Sequence, residues 1–328
     1  MTEPFRSLAS RPARPRGLRR WAAGAAGAAL LAVVGSASAG SGLGLLNAVA
    51  TLRGHQGPSG VAYGPLERQR FDVYVPGNSL SEADKASGSP LVIFFYGGSW
   101  DTGRRQDYRF AGEALAAQGF TVMVVDYRLY PQVRYPGFLA DCALAVGYGL
   151  EHAHELGADP RRVFLAGHSA GAYNVAMLVL DPRWLRAVGH APAELAGWAG
   201  LAGPYDFLPI VDEGVKKVFD WPGTSPDTQP IHHVGDLSRP LPVFLGAAAH
   251  DTVVHPDRNS IPLADALKAR GAAVTLKIYE HVNHATLVGS LAWPLTAFAP
   301  VLDDAAAFIR SVTPAAGPLP APVAAARP

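Results

Sequence analysis

The sequence predicts an α/β protein whose central sheet is mostly parallel and covered by helices on both faces. Short apolar runs of strand length alternate along the chain with helical patterns of about ten to twenty residues, as in parallel sheets. Most of the runs lack polar alternation, as expected for strands buried on both faces. Strands are predicted at residues 71–75, 91–96, 120–125, 162–166, 195–201, 241–246 and 274–279, and helices at 106–118, 138–156, 172–180, 260–270 and 295–312.

The composition of the 328-residue chain is that of a folded protein with a sizeable core. Apolar residues make up 49% and charged residues 17%, which argues against global disorder. The net charge is +1, but six of the 28 basic residues and one of the 27 acidic residues lie within residues 1–20. The rest of the chain therefore carries a charge of −4, and no nucleic-acid partner is expected because a basic footprint is missing.

Residues 1–50 predict a basic N-terminal region followed by a signal peptide or a membrane anchor. The basic stretch leads into an apolar core at residues 21–34, and Ala37-Ser38-Ala39 matches the small-residue site of a secretory signal. We expect export to the periplasm or the extracellular space. The alternative is an uncleaved anchor over residues 21–39 that contacts the membrane, since about twenty apolar residues span a bilayer. The main domain is predicted over residues 51–312, and the Pro- and Ala-rich tail at 313–328 is predicted to be disordered.

The strongest chemical motif is Gly167-His168-Ser169-Ala170-Gly171, which matches G-x-S-x-G. A predicted buried strand precedes it and a predicted helix follows it, which is the strand–turn–helix setting of a nucleophile elbow. Glycines at both ends allow the sharp turn. Ser169 is then exposed at the start of a helix, whose dipole favours developing negative charge. The sequence therefore predicts Ser169 as a catalytic nucleophile.

A second motif, Tyr96-Gly97-Gly98-Ser99-Trp100, directly follows another predicted buried strand. Acyl transfer creates an oxyanion that needs preorganised N–H donors. A Gly-Gly turn leaves the backbone free to aim such donors into the site. We expect Gly98 and a neighbour, Gly97 or Ser99, to form the oxyanion hole together with the amide of Ala170.

The remaining members of a triad follow the nucleophile in the order acid, then histidine. Asp251 lies just beyond the predicted strand 241–246, and His284 lies just beyond the predicted strand 274–279. Neighbouring strand ends would bring them together. His284 is predicted as the general base, and Asp251 as the residue that holds its tautomer. Asp257 and His281 are the alternatives.

Other reactive side chains predict no further chemistry. His152 and His154 are two positions apart on a helix and so do not share a face. The single cysteine, Cys142, lies in an apolar helical pattern and is predicted to be a buried packing residue. We expect no metal and no cofactor.

These motifs resemble the carboxylesterase branch of the α/β-hydrolase fold, which includes hormone-sensitive-lipase-like, feruloyl-esterase-like and kynurenine-formamidase-like proteins. The resemblance covers residues 63–312 and includes both glycine motifs, the segment 126–136 and Asp141. The chain departs from it at Tyr96, where the family has a histidine that shapes the oxyanion loop; a tyrosine hydroxyl can brace the loop instead. The resemblance also implies that Asp126 and Arg128 form a buried ion pair; a surface pair is the alternative.

The expected function is hydrolysis of small-molecule carboxylic esters, with short acyl groups preferred, through an acyl-enzyme. An insertion at residues 203–239, before the strand that leads to the acid, is expected to cap the site. Trp100, His168 and Tyr205 are the expected substrate-binding residues. An amidase, arylformamidase or peptidase on the same fold is an alternative, and a non-catalytic ligand-binding relative is another.

Overall fold

The structure, a computed structural model, describes residues 39–50, 54–77, 80, 84, 88–236, 240–293 and 295–312. The predicted tail at residues 313–328 and all but the last residue of the predicted anchor at residues 21–39 lie outside these residues. Within them, no helix is both long and apolar enough to cross a membrane.

A sheet of eight strands forms the centre of the described domain. Its order is β1-β2-β4-β3-β5-β6-β7-β8, and every neighbouring pair from β4 to β8 is parallel, whereas β1 and β2 join antiparallel. The mostly parallel sheet predicted from the sequence is therefore confirmed. The strands are β1 Val61–Ala62, β2 Arg70–Tyr74, β3 Ser89–Phe95, β4 Thr121–Val125, β5 Ala158–His168, β6 Gly197–Leu201, β7 Val243–Ala248 and β8 Val274–Tyr279.

The α-helices connect these strands and cover the sheet. They are α1 Ala39–Ala50, α2 Arg109–Ala117, α3 Gly137–His152, α4 Ala170–Leu180, α5 Arg183–Arg186, α6 Glu213–Phe219, α7 Ser260–Ala269, α8 His284–Gly289 and α9 Val301–Val312. The chain runs from β3 outward to β4, and then back past β3 to β5. Right-handed crossovers therefore place α2 and α3 on opposite faces of the sheet.

The sheet order also determines where a ligand site forms. β3 lies between β4 and β5, so the direction in which strands are added reverses at β3. Open parallel sheets bind ligands at such a switch point, beyond the carboxyl ends of the strands. Both glycine motifs follow the strands that meet there, β3 and β5.

Two helical regions differ from the sequence predictions. The predicted helix 295–312 is divided into a 3₁₀ turn, Leu295–Ala297, and α9. Pro300 directly precedes α9, and a proline within a continuous helix would remove a hydrogen bond and clash with the preceding turn. Residues 39–50, assigned from the sequence to the N-terminal segment, form α1, whose Leu46 is buried in the core of the domain.

Candidate active site

Ser169, His284 and Asp251 form one hydrogen-bonded chain at the carboxyl end of the sheet. The Oγ atom of Ser169 lies 2.9 Å from Nε2 of His284, and Nδ1 of His284 lies 2.8 Å from Oδ2 of Asp251. The alternative residues Asp257 and His281 are exposed and take no part in this chain. The geometry thus brings together the three residues that the motif order predicts.

Ser169 occupies the tight turn between β5 and α4. Its backbone has φ 53° and ψ −122°, a strained conformation for a residue with a side chain. A Cβ at Gly171 would collide with the carbonyl oxygen of Phe95, and one at Gly167 would collide with the backbone of Gly171. The two glycines therefore allow the helix to start close against β3, which leaves the serine hydroxyl exposed to His284.

Asp251 is held as a buried anion. Its Oδ1 accepts the backbone N–H groups of Val253 and Val254 at 2.9 Å each, and only 2% of the residue is exposed. Burial by itself raises the pKa of the Asp251 carboxyl, but the hydrogen bond and charge of His284, together with these two amides, lower it overall. The ionised carboxylate fixes the proton of neutral His284 on Nδ1, so that Nε2 can accept the serine proton.

The turn after β8 positions His284 next to Ser169. Asn283 caps α8 by accepting hydrogen bonds from the amides of Ala285 and Thr286, the usual way to satisfy free N–H groups at a helix start. His284 is consequently the first residue of α8. The side chain is only 16% exposed, and the cap fixes the backbone from which it reaches Ser169.

The loop after β3 has three successive residues with positive φ: Gly98 at 131°, Ser99 at 50° and Trp100 at 61°. Successive amides in such turns can form an anion-binding concavity. Within the described residues, the amides of Gly98, Ser99 and Ala170 have no acceptor, as an oxyanion hole requires. Ser99 and Ala170 also line the neighbouring cavity.

Gly97 differs from the other predicted oxyanion donors. Its N–H donates to the hydroxyl of Tyr108 at 3.3 Å, so it does not face the site as a free donor. The prediction of Gly97 as an oxyanion donor is therefore wrong. Its glycine is needed for another reason: a Cβ there would lie 2.9 Å from the Cβ of Ser169, so a side chain would displace the nucleophile.

Tyr96 braces the oxyanion loop through its hydroxyl. The hydroxyl accepts a hydrogen bond from Nη2 of Arg68 at 2.6 Å, and the Tyr96 carbonyl accepts one from the hydroxyl of Tyr127 at 2.8 Å. Arg68 also donates to the carbonyl of Gly103, where the loop ends. Burial raises the pKa of Tyr96 well above its ordinary value, so the hydroxyl stays neutral.

The predicted ion pair between Asp126 and Arg128 does not form. Asp126 pairs with Arg105, with Oδ2 and Nη1 2.5 Å apart, while Arg128 makes a bidentate pair with Asp141 on α3. Each side chain finds a partner from a different element. The segment after β4 is thus tied on one side to the 3₁₀ turn Arg105–Tyr108 and on the other to α3.

A cavity of about 200 Å³ opens beside Ser169. Its walls are mainly apolar and come from Trp100, from the insertion between β6 and β7, and from the loop after β7; they include Phe207, Ile210, Val215 and Val254. The insertion thus forms part of the cavity wall, in the region where the sequence predicts a cap. Trp100 is fixed in the wall because its Nε1 donates to Oδ1 of buried Asn174 at 3.0 Å.

Two of the three predicted substrate-binding residues do not line this cavity. Tyr205 is fully buried, and its hydroxyl lies against Gly200 of the sheet, while the adjacent Asp206 and Phe207 face the cavity. His168 is 5% exposed and bonds to Tyr108 and to the carbonyl of His284. Of the three, only Trp100 lies in the wall. Both predictions failed because the sequence does not show which way these side chains turn.

Sequence reasoning missed three further residues of the site, Arg68, Tyr108 and Asn174. They lie 11 to 74 residues along the chain from the groups that they hold in the oxyanion loop, and none belongs to a recognisable motif. Tyr108 and Asn174 lie within predicted helices, 106–118 and 172–180, where neither residue type by itself indicates a role in the site. Nothing in the sequence pairs these residues with the oxyanion loop.

Fold and site together define an α/β-hydrolase. The family model described as BD-FAE matches residues 71–183, and that of the prolyl oligopeptidase family matches residues 139–293. Carboxylesterase NlhH of Mycobacterium tuberculosis is 31% identical over 229 residues, covering 62% of this chain and 70% of that protein. The chain thus belongs to the carboxylesterase family of α/β-hydrolases.

Other similar proteins agree with this family. A probable isoprenylcysteine alpha-carbonyl methylesterase of Oryza sativa is 28% identical over 244 residues, which are 68% of this chain and 57% of that protein. The chain spans about half the length of the plant methylesterases that it matches. The structure of apo Thermogutta terrifontis esterase 2 has the same fold, with a TM-score of 0.61, 22% identity, and coverage of 76% of this chain and 93% of that one.

Proposed function

We propose that the protein is a serine esterase that hydrolyses small carboxylic esters with short acyl groups. The observation that carries the proposal is the chain of Ser169, His284 and Asp251, which ends beside free amides and an apolar cavity. The cavity has a volume of about 200 Å³, which is below the range of about 300–1,000 Å³ typical of sites for drug-sized ligands. A small acyl group therefore suits it better than a long chain.

The geometry supports a two-step reaction. Nε2 of His284 accepts the Ser169 proton as Oγ attacks the ester carbonyl, and Asp251 stabilises the resulting imidazolium. The amides of Gly98, Ser99 and Ala170 receive the developing oxyanion. His284 then protonates the leaving alkoxide, and an acyl-enzyme remains.

Deacylation repeats these steps with water as the nucleophile. Water gives a proton to Nε2 of His284 as its oxygen attacks the acyl carbon, and the same amides hold the second oxyanion. Collapse of this intermediate returns the proton to Ser169 and releases the carboxylic acid. During both steps the acyl group rests against Trp100 and the insertion.

Labelling with a fluorophosphonate probe tests the nucleophile. We expect wild-type protein to be labelled and Ser169→Ala to be unlabelled and inactive. Absence of wild-type labelling, or equal labelling of the variant, contradicts the proposal and favours a non-catalytic binding protein.

Substrate preference is tested with nitrophenyl acetate, butyrate and laurate beside an aryl formamide and a peptide amide. We expect the highest kcat/KM with acetate or butyrate. A higher kcat/KM for either amide would instead assign the site to an amidase or peptidase.

We further propose that the protein is exported, on the strength of the basic and apolar character of residues 1–39. The test is mass spectrometry of the N-terminus of protein recovered outside the cytoplasm. Cleavage near Ala39 supports a signal peptide. Retention of residues 21–39 in a membrane fraction supports an anchor, and recovery of the full chain from the cytoplasm contradicts export.

A further inference from the structure

Two buried polar side chains beside the site have no part in the reaction steps above. Tyr108, in the 3₁₀ turn before α2, is 6% exposed, and His168, the last residue of β5, is 5% exposed. Neither lines the cavity next to Ser169. Buried hydrogen-bonding groups are costly unless they are satisfied, so their partners indicate what they do.

These side chains form one hydrogen-bonded chain between two separate loops. The N–H of Gly97 lies 3.3 Å from the Tyr108 hydroxyl, which lies 3.0 Å from Nδ1 of His168. On the other side of the ring, Nε2 of His168 lies 3.1 Å from the backbone carbonyl of His284. The hydrogen bonds therefore connect the oxyanion loop to the backbone of the general base through His168, the residue directly before Ser169.

The direction of each bond in this chain is determined by its ends. The carbonyl of His284 can only accept, so Nε2 of His168 carries the proton and donates it. Nδ1 of the neutral ring then accepts from the Tyr108 hydroxyl, whose oxygen accepts from Gly97. Burial, with the neighbouring His284 adding to it, lowers the pKa of His168 to about 3, so the ring is neutral, and its hydrogen-bond partners select this tautomer.

We infer that Tyr108 and His168 are positioning residues, which hold the oxyanion donors and the general base in one fixed geometry. This inference rests on the proposed esterase function. The Tyr108 bond holds the peptide between Tyr96 and Gly97, one residue before the Gly98 amide, and the His168 bond holds the backbone carbonyl of His284. Because the two loops follow different strands, β3 and β8, this chain sets the distance between groups that must act on one carbonyl.

Loss of these hydrogen bonds should lower kcat much more than it weakens substrate binding. A misplacement of about 1 Å can cost on the order of 10²-fold in rate. We expect Tyr108→Phe and His168→Leu each to lower kcat by about 10- to 100-fold while KM stays within about twofold, since the cavity wall is unchanged. In His168→Gln, the side-chain amide can still donate to the His284 carbonyl, so this variant should recover part of the loss.

A matched control separates positioning from a general effect on stability. Tyr279→Phe also removes one buried tyrosine hydroxyl, which bonds Asp304 on α9 at 2.8 Å. We expect Tyr279→Phe to keep wild-type kcat. Affinity for an alkyl trifluoromethyl ketone, which forms an oxyanion on Ser169, should fall with kcat in the Tyr108 and His168 variants, whereas affinity for the product acid should not.

The outcomes distinguish this inference from the proposed function. If the wild type hydrolyses no ester, the proposed function fails. If the wild type is active and the Tyr108 and His168 variants match Tyr279→Phe in kcat and in ketone affinity, the positioning role is overturned. It is also overturned if the loss lies wholly in KM, or if His168→Gln is no better than His168→Leu. Should Tyr108→Phe fail to fold, the two His168 variants decide the question.

Discussion

His281 and His284 are three residues apart, and only His284 forms a hydrogen bond with Ser169. His281 follows β8 so closely that it remains exposed, whereas the turn ending at Asn283 places His284 at the start of α8, within 2.9 Å of the serine. The side chain that reaches the nucleophile is thus selected by the helix cap.

Replacing each histidine with alanine gives a direct prediction. His284→Ala removes the general base, and kcat should fall on the order of 10⁴- to 10⁶-fold, as for other triads. His281→Ala, its matched control, should keep activity within about twofold. Steady-state ester hydrolysis measures both, and an equal loss in the two variants would contradict the assignment of His284.

The buried hydroxyl of Tyr205 lowers the stability of the folded protein. Tyr205 is fully buried, and its hydroxyl has no hydrogen-bond partner among the described residues. By contrast, the buried hydroxyl of Tyr173 donates to the carbonyl of Thr228 at 2.7 Å. A buried polar group without a partner opposes folding, whereas breaking a satisfied bond is destabilising.

We therefore expect opposite results from two identical substitutions. Tyr205→Phe should leave the free energy of unfolding unchanged or raise it by up to about 1 kcal/mol, while Tyr173→Phe should lower it by about 1–2 kcal/mol. Urea unfolding measures both changes. A clear loss of stability in Tyr205→Phe would mean that its hydroxyl has a partner such as buried water.

Among the elements, α1 packs against the domain although it lies in the N-terminal part of the chain. Leu46 is 1% exposed, and the side-chain Oδ1 of Asn47 accepts the N–H of Phe110 at the start of α2. The Nδ2 atom of Asn47 also donates to the carbonyl of Gln106. The helix is thus bound to the domain by both apolar packing and hydrogen bonds, in a segment that the sequence groups with the N-terminal region.

Two substitutions in α1 test whether this helix stabilises the domain. Leu46→Ala leaves a cavity in the core and should lower the free energy of unfolding by about 2–5 kcal/mol. Gly44→Ala, at an exposed helical position with nothing within 4 Å of the added methyl, should raise it by about 0.5–1 kcal/mol. Chemical unfolding measures both, and an unchanged midpoint for Leu46→Ala would show that α1 does not pack against the domain.

At the scale of the whole molecule, the parallel sheet places separate loops at one edge. Phe95 pairs with Gly167 across β3 and β5, and Ala248 pairs with Tyr279 across β7 and β8. The loops that carry the oxyanion amides, the nucleophile, the acid and the base therefore all begin at the carboxyl edge of the sheet. Four segments distant in sequence meet because the sheet is parallel and in register.

Because His168 is buried in its neutral form, the free energy of unfolding of the whole protein depends on pH. The pKa of His168 is about 3 in the folded protein, against 6.5 as its ordinary value. As the pH falls below 6.5, the unfolded chain binds a proton that the folded protein does not. The free energy of unfolding should therefore fall with decreasing pH, by up to about 1.4 kcal/mol per pH unit for this group, until the folded pKa is reached.

The comparison of wild type with His168→Gln isolates this effect. Between pH about 6.5 and about 5, the wild type should lose stability more steeply with falling pH than the variant, because other titrating groups are common to both. Urea unfolding over this range measures the two slopes, and parallel slopes would contradict a neutral, buried His168.

The fold and the catalytic chain were predictable because their signals are local. Buried strands appear as continuous apolar runs, and the G-x-S-x-G motif needs only its own strand, turn and helix. The order of Asp251 and His284 after consecutive strands sufficed to place them together, since parallel strands end at one edge. The interruption of the predicted helix 295–312 at Pro300 is also a local feature, but the helical pattern on both sides of the proline predicts one continuous helix.

Local sequence patterns are enough to predict the parallel sheet and the three residues that the structure joins in one hydrogen-bonded chain, Ser169, His284 and Asp251, because each depends on a pattern within a few residues. Contacts between distant parts of the chain determine that Gly97 donates to Tyr108, that Tyr205 turns into the core, and that Asp126 and Arg128 bind different partners. Those outcomes depend on which distant side chain lies within about 3 Å, and sequence spacing carries no record of that distance. The final positions of the oxyanion amides follow from such contacts.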